Sequence, residues 1–189
     1  LAVSSLLWAG GFTGSDGRSH RDGIDDAIEA LYLAAAIRAH CLVVYTGGRG
    51  GHTRSPSQRL VFSALRELAD IAEDLETTIA VEPMHMGCGI DWTFLHTLDE
   101  TLHFLDAIDS PRLKMVFDTY HLGHEANIAA RAADAVDQIA LVHLGDARRQ
   151  PHGEQDRCVL GQGKLPLANI IRNLQDAGYD GFFELELLG

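Results

Sequence analysis

Four short apolar runs lead into side chains that can hold a divalent cation or carry a proton. Residues 78–81 run into Glu82, 113–117 into Asp118 and 139–142 into His143, and the last run, 181–187, carries Glu184 and Glu186. A single acid at a strand end is ordinary, whereas four such ends in succession would be an unusual accident. In a parallel barrel all these ends lie on one face, and that face builds the active site. Carboxylates with one imidazole form a hard oxygen-plus-nitrogen donor set suited to Mg²⁺, Mn²⁺, Zn²⁺ or Co²⁺. Asp118-Thr-Tyr-His121 adds a second imidazole three residues beyond its carboxylate.

The elements that must position these groups alternate along the chain. Residues 3–8 read as a strand, followed by a glycine-rich loop at 10–17 and a helix opening near Asp22 with acids at its N-terminal end, where the dipole favours them. A β-branched run at 41–45 leads into a second glycine-rich loop, 46–52. Ser55-Pro56 predicts a helix start, and Leu60, Ala64, Leu65, Leu68, Ile71, Ala72 and Leu75 continue it at helical spacing. Thr97-Leu-Asp-Glu100 has the form of a capping box. Helices are expected at about 127–136 and 167–177, the second stopped by Gly178. Strand–helix alternation with nearly all-apolar strands predicts a parallel sheet covered on both faces. The count is six strands, two short of a closed eight-stranded barrel.

With 189 residues, one domain over 1–189 is expected. The net charge of −12 works against binding a polyanion such as nucleic acid. No apolar run reaches the length of a membrane span. Cys41, Cys88 and Cys158 are odd in number and widely spaced, which speaks for a reducing, cytoplasmic setting rather than a disulfide framework. The chain begins in a strand without an initiator Met, so further β-α units are expected upstream.

Glu82-Pro, Asp118-Thr-Tyr-His121, His143-Leu-Gly-Asp146, Leu160-Gly-Gln-Gly163 and Gly178-Tyr-Asp-Gly-Phe-Phe-Glu-Leu-Glu186 resemble the xylose-isomerase-like barrels. That family comprises sugar and sugar-phosphate isomerases and epimerases, with apurinic-site endonucleases as relatives. The resemblance implies a (β/α)8 TIM barrel whose first two β-α units are missing from this chain. It also implies one divalent metal ion held by Glu82, Asp118, His143 and Glu186. Glu82 and Glu186 would serve as the acid–base pair that removes and returns a substrate proton through an enediolate. His121 would contact a substrate oxygen or a second metal. Arg149 matches a position where the epimerases hold a substrate oxygen, with Arg148 beside it as the competing assignment. The implied substrate is a small carbohydrate, with no nucleic-acid or membrane partner, and a homo-oligomer is compatible with the sheet edge.

Two positions depart from the pattern. Six residues after Glu82, where ketose epimerases carry a substrate-binding glutamate, stands Cys88, read as a small buried residue. Asp156-Arg157-Cys158 keeps the aspartate that the endonucleases use for an extra zinc but replaces their histidine, leaving Asp156 as a candidate ligand for a second metal. The alternatives to the sugar enzyme are a multinuclear phosphodiesterase and a non-catalytic barrel. The glycine-rich loops read as mobile covers of the barrel mouth or as phosphate cradles.

Overall fold

A computed structural model describes residues 1–49 and 51–186. Its centre is a six-stranded parallel sheet in the order β1-β2-β3-β4-β5-β8. The strands are β1 (Val3–Gly10), β2 (Ala39–Tyr45), β3 (Thr78–Val81), β4 (Leu113–Asp118), β5 (Ile139–Leu144) and β8 (Phe182–Leu185). Long helices make the crossovers: α1 (His20–Ala36), α2 (Arg54–Asp74), α4 (Leu98–Ile108), α6 (Ile128–Asp134) and α7 (Leu167–Asp176). Two single-turn helices, α3 (Met86–Gly89) and α5 (Thr119–Leu122), follow β3 and β4 directly, and a small antiparallel pair, β6 (Asp146–Ala147) and β7 (Arg157–Cys158), follows β5.

The two-residue period of a strand divides the apolar residues between two cores. Leu42, Val44, Ile79, Val81, Met115, Phe117, Val142 and Leu144 join helical Ile24, Leu31, Leu65, Leu68, Leu105, Ile170 and Leu174 in the larger one. Burying side chains of this size contributes about 1.5–3 kcal/mol each. The opposite face is a much smaller cluster of Cys41, Val43, Ala80, Val116, Ala140 and Leu141, with Phe182 packed against it. The sheet curls around this inner cluster. Ser5 on β1 donates a hydrogen bond to Glu184 on β8 at 3.0 Å, so the two edge strands meet through their side chains across the interior. Two residues beyond Ala80, Val116, Leu141 and Phe182, the same inward face presents Glu82, Asp118, His143 and Glu184.

The element boundaries differ from the sequence reading for local reasons. α1 opens at His20 rather than Asp22, because Ser19 and Asp22 form a reciprocal capping box. α2 starts before Ser55, after Thr53, so Pro56 sits within the first turn, where its missing N–H costs nothing. At α4 Thr97 accepts the Glu100 N–H, but the Glu100 carboxylate accepts from the His96 N–H instead of closing the box. The final strand was expected to reach Leu187, which lies outside the described residues.

Gly10, the last residue of β1, has φ +132°, and a Cβ there would lie 1.9 Å from the Tyr45 carbonyl oxygen. Gly10→Ala is therefore expected to destabilise the fold by more than about 1 kcal/mol, measured as a lower urea midpoint at unchanged slope.

Candidate metal centre and active site

Each of the four strand-end groups is delivered by a separate strand, and the parallel register brings them to one level. Asp118 stands opposite His143, and His143 opposite Glu184. The Glu82 N–H extends the ladder to Val44 O at 3.1 Å before Pro83 stops the strand. The Glu186 N–H does the same to Leu144 O at 3.1 Å. Asp118 both ends β4 and caps α5, its Oδ1 accepting the Tyr120 N–H at 2.6 Å. One oxygen is thereby fixed and the other is turned into the site.

Glu82, Asp118, His143 and Glu186 each offer one donor atom, and all four atoms lie within 4.8 Å of one another. That span is close to twice a metal–oxygen bond of about 2.0–2.5 Å, so the set can hold a divalent cation. Glu82, Asp118 and His143 are buried and Glu186 is partly so. Glu82 Oε2 is enclosed and makes no hydrogen bond, a costly state for a carboxylate oxygen that a cation would relieve. His143 Nδ1 lies 3.2 Å from Glu82 Oε1 and 3.4 Å from Glu186 Oε2.

Like charges at this density shift one another. Burial pushes Glu186 up, as do its neighbours Asp118 and Glu82. Burial also works to raise Asp118, but the positive charges of His121 and Arg157 overcome it and hold that carboxyl at about 2. Burial lowers His143, and the surrounding Glu184, Glu186 and Glu82 reverse this to a large net rise. The charge a cation would balance is met here by protons and by one arginine.

That arginine, Arg157, is not among the residues singled out from the sequence. Its side chain is 2% exposed. Nη2 lies 3.1 Å from Asp118 Oδ2 and 3.0 Å from Glu186 Oε2, and the guanidinium lies 4.2 Å over the Tyr120 ring. Alternation along the short β7 explains why it was missed. Asp156 and Cys158 drew attention as possible ligands, while the residue between them is the one that faces the site. Arg149 is placed elsewhere, with its side chain 71% exposed and paired with Asp156 at 2.7 Å. Asp156 accordingly stands apart from the four-residue cluster, which is the only such group among the described residues. Arg148 reaches Gln162 on the surface. His121 is buried beside the cluster, with Nε2 3.7 Å from Asp118 Oδ2 and Nδ1 3.5 Å from Cys88 Sγ. Cys88 is half-buried there rather than enclosed in a core.

Asp146 has a structural task. Its carboxylate accepts the N–H groups of Gly161 and Gly163 at 2.9 Å each, fastening Leu160-Gly-Gln-Gly163 beside the site. The glycine-rich loops also have packing duties. The Gly47 N–H donates to Trp92 O at 2.8 Å and the Gly48 N–H to Asp91 O at 3.1 Å. A Cβ on Gly48 would fall 2.5 Å from Ile90 O. This docking sets Trp92 edge-to-face against Trp8 and Tyr45 at centroid distances of 5.1 and 5.7 Å. Tyr45 neighbours Glu82, whose charge adds to burial in pushing the phenol up.

Residues 1–188 match the family described as the xylose isomerase-like TIM barrel. The chain belongs to this family. Among curated relatives, a D-psicose 3-epimerase of Enterocloster bolteae is 34% identical over 123 residues, 65% of this chain and 37% of that protein. An L-ribulose 3-epimerase of Methylomonas sp. is 28% identical, over 82% of this chain and 51% of that protein. A crystal structure of a protein from Sinorhizobium meliloti 1021 superposes with a TM-score of 0.87 at 26% identity, over 99% of this chain and 70% of that one. The chain thus spans between about a third and a half of these curated relatives. The fold of solved xylose isomerase-like barrels is the one seen here. Six parallel strands form its curled sheet, with the donor cluster at their C-terminal ends.

Removing Arg157 would take away the guanidinium that Asp118 and Glu186 share. In metal-free protein Arg157→Ala is expected to cost about 3–5 kcal/mol, read from thermal melts in chelator. A saturating divalent ion is expected to restore much of that loss, because it supplies the missing positive charge.

Proposed function

We propose that this chain carries the metal-binding active site of a sugar isomerase or epimerase, working by proton transfer through an enediolate. The observation that supports this most is the convergence of Glu82, Asp118, His143 and Glu186 from four strands onto one buried cluster. Two of its carboxylates, Glu82 and Glu186, both face Nδ1 of the His143 imidazole. The names of the curated relatives, several of them ketose 3-epimerases, point the same way.

Glu82, Asp118, His143 and Glu186 would hold one divalent ion (Mn²⁺, Mg²⁺, Co²⁺ or Zn²⁺), which when bound polarises the substrate carbonyl and orients its neighbouring oxygens. A solved zinc-bound barrel of the same fold, the IolI protein, superposes with a TM-score of 0.80. The chain's own residues do the rest. One carboxylate takes a proton from a carbon next to the carbonyl and the other returns one, to the same carbon from the opposite face for epimerisation, or to the neighbouring carbon for isomerisation. Glu186, which burial and the neighbouring Asp118 and Glu82 push upward, is one of the two groups placed to carry that proton. His121 and Arg157, buried beside Asp118, supply donors for substrate oxygens. The aromatic group of Trp8, Tyr45 and Trp92 offers an apolar wall next to Glu82 for the C–H face of a carbohydrate. The wide, odd cysteine spacing fits a cytoplasmic setting. The multinuclear phosphodiesterase reading gains nothing from the geometry, since Asp156 is engaged with Arg149.

In D₂O with Mn²⁺ and a ketose panel, the protein is expected to exchange a carbon-bound substrate hydrogen, followed by NMR. Glu186→Gln should cut that exchange at least about 100-fold. Metal binding with no exchange on any ketose would overturn the assignment. Trp8 and Trp92 are the only tryptophans in the sequence, so intrinsic fluorescence should change on adding a bound sugar and lose most of that response in Trp92→Phe.

A further inference from the structure

Glu184 is the carboxylate the proposed proton chemistry leaves unused, and its placement assigns it a role. It faces His143 directly across the β5–β8 ladder. Both ring nitrogens face carboxylates. Nδ1 looks toward the donor cluster, 3.2 Å from Glu82 Oε1 and 3.4 Å from Glu186 Oε2. On the far side of the ring Nε2 makes no hydrogen bond, and the charged group nearest to it is Glu184, whose Oε2 lies 3.4 Å away. The other oxygen of Glu184 accepts the Ser5 hydroxyl at 3.0 Å, from the opposite edge of the sheet. The carboxylate is therefore held from two strands with one oxygen aimed at the ring.

A neutral imidazole carries its proton on one nitrogen and its lone pair on the other, and only the lone pair can bind a cation. A carboxylate at Nε2 favours the tautomer with the proton there, which leaves the Nδ1 lone pair facing Glu82, Asp118 and Glu186. It also opposes rotation of the ring, since a flip would carry both nitrogens away from their partners. We propose that Glu184, anchored by Ser5, is a positioning residue that fixes the tautomer and orientation of His143 for metal binding. This rests on the reading of Glu82, Asp118, His143 and Glu186 as metal ligands.

The test uses the full chain, stripped of metal and titrated with Co²⁺, alongside ¹⁵N-histidine NMR of the Zn²⁺-loaded protein. Glu184→Ala is expected to weaken Co²⁺ binding about 10–100-fold and to move the His143 ring signals away from a single Nε2–H tautomer. Glu184→Gln keeps an oxygen that can accept the Nε2–H, and should recover much of the affinity and the single tautomer. Ser5→Ala, which leaves the carboxylate in place, should weaken binding about 3–10-fold and stands in if Glu184→Ala fails to fold. Wild-type affinity and an unchanged His143 spectrum in Glu184→Ala, or in Ser5→Ala where that variant stands in, would overturn the proposal. Asp118→Ala in the same titration separates the two ideas. If it abolishes binding while the Glu184 and Ser5 variants bind normally, the metal site stands and the positioning role falls. If Asp118→Ala binds Co²⁺ as tightly as the wild type, the metal site itself is refuted and this proposal with it.

Discussion

Three carboxylates and an imidazole share one small, largely buried space, and this accumulation of negative charge is the constraint the rest of the structure answers. Buried charges of one sign repel strongly where the local dielectric is low. Each carboxylate therefore comes with a compensating group. Asp118 has a backbone N–H and Arg157, Glu82 has His143, and Glu186 lies between Arg157 and His143. Replacing such a set by apolar residues would commonly stabilise a fold. Its presence here, at the C-terminal ends of four neighbouring strands, is an expense that a binding or catalytic task explains.

The supporting structure places each donor on a strand or one ladder hydrogen bond beyond its end. Inward-facing positions recur every second residue. An inner cluster of small and medium side chains, Val43, Ala80, Val116 and Leu141, raises the next residue of each series to the rim. The larger helix-facing core keeps the strands rigid, and rigid strands hold the donors to the few tenths of an ångström that coordination requires. Loops then close the periphery through tight backbone contacts, such as those of Gly47 and Gly48 with residues 91 and 92.

The strand-end pattern made the sheet, its parallel sense and the four donors readable from the sequence, because apolar runs of strand length ending in polar residues reflect the sheet period directly. Arg157 was not readable in that way. It lies on a two-residue strand inside a long polar stretch, where periodicity has no length to express itself, and its partners come from β4 and from just beyond β8. Arg149 was assigned as a substrate contact through its match to a position in the epimerases, and in this structure its side chain is exposed and paired with Asp156. The boundary of α1 moved by about two residues because Ser19 and Asp22 cap each other, and α2 opens two residues early, at Arg54, without a side-chain cap at Thr53.

The hydrogen bond between Ser5 and Glu184 joins groups 179 positions apart in the chain. Contacts of such sequence separation are made only after loop-closure entropy has been met for nearly the whole polypeptide. The four donors need the last strand in place, and the Glu184 contact beside His143 is anchored only when the first strand has joined as well. Local turns and early β-α units can assemble without it, whereas an ion seated among the four donors selects for the fully closed arrangement. By mass action such an ion would stabilise the entire molecule rather than one corner of it, making cation occupancy a report on the folding of the whole chain.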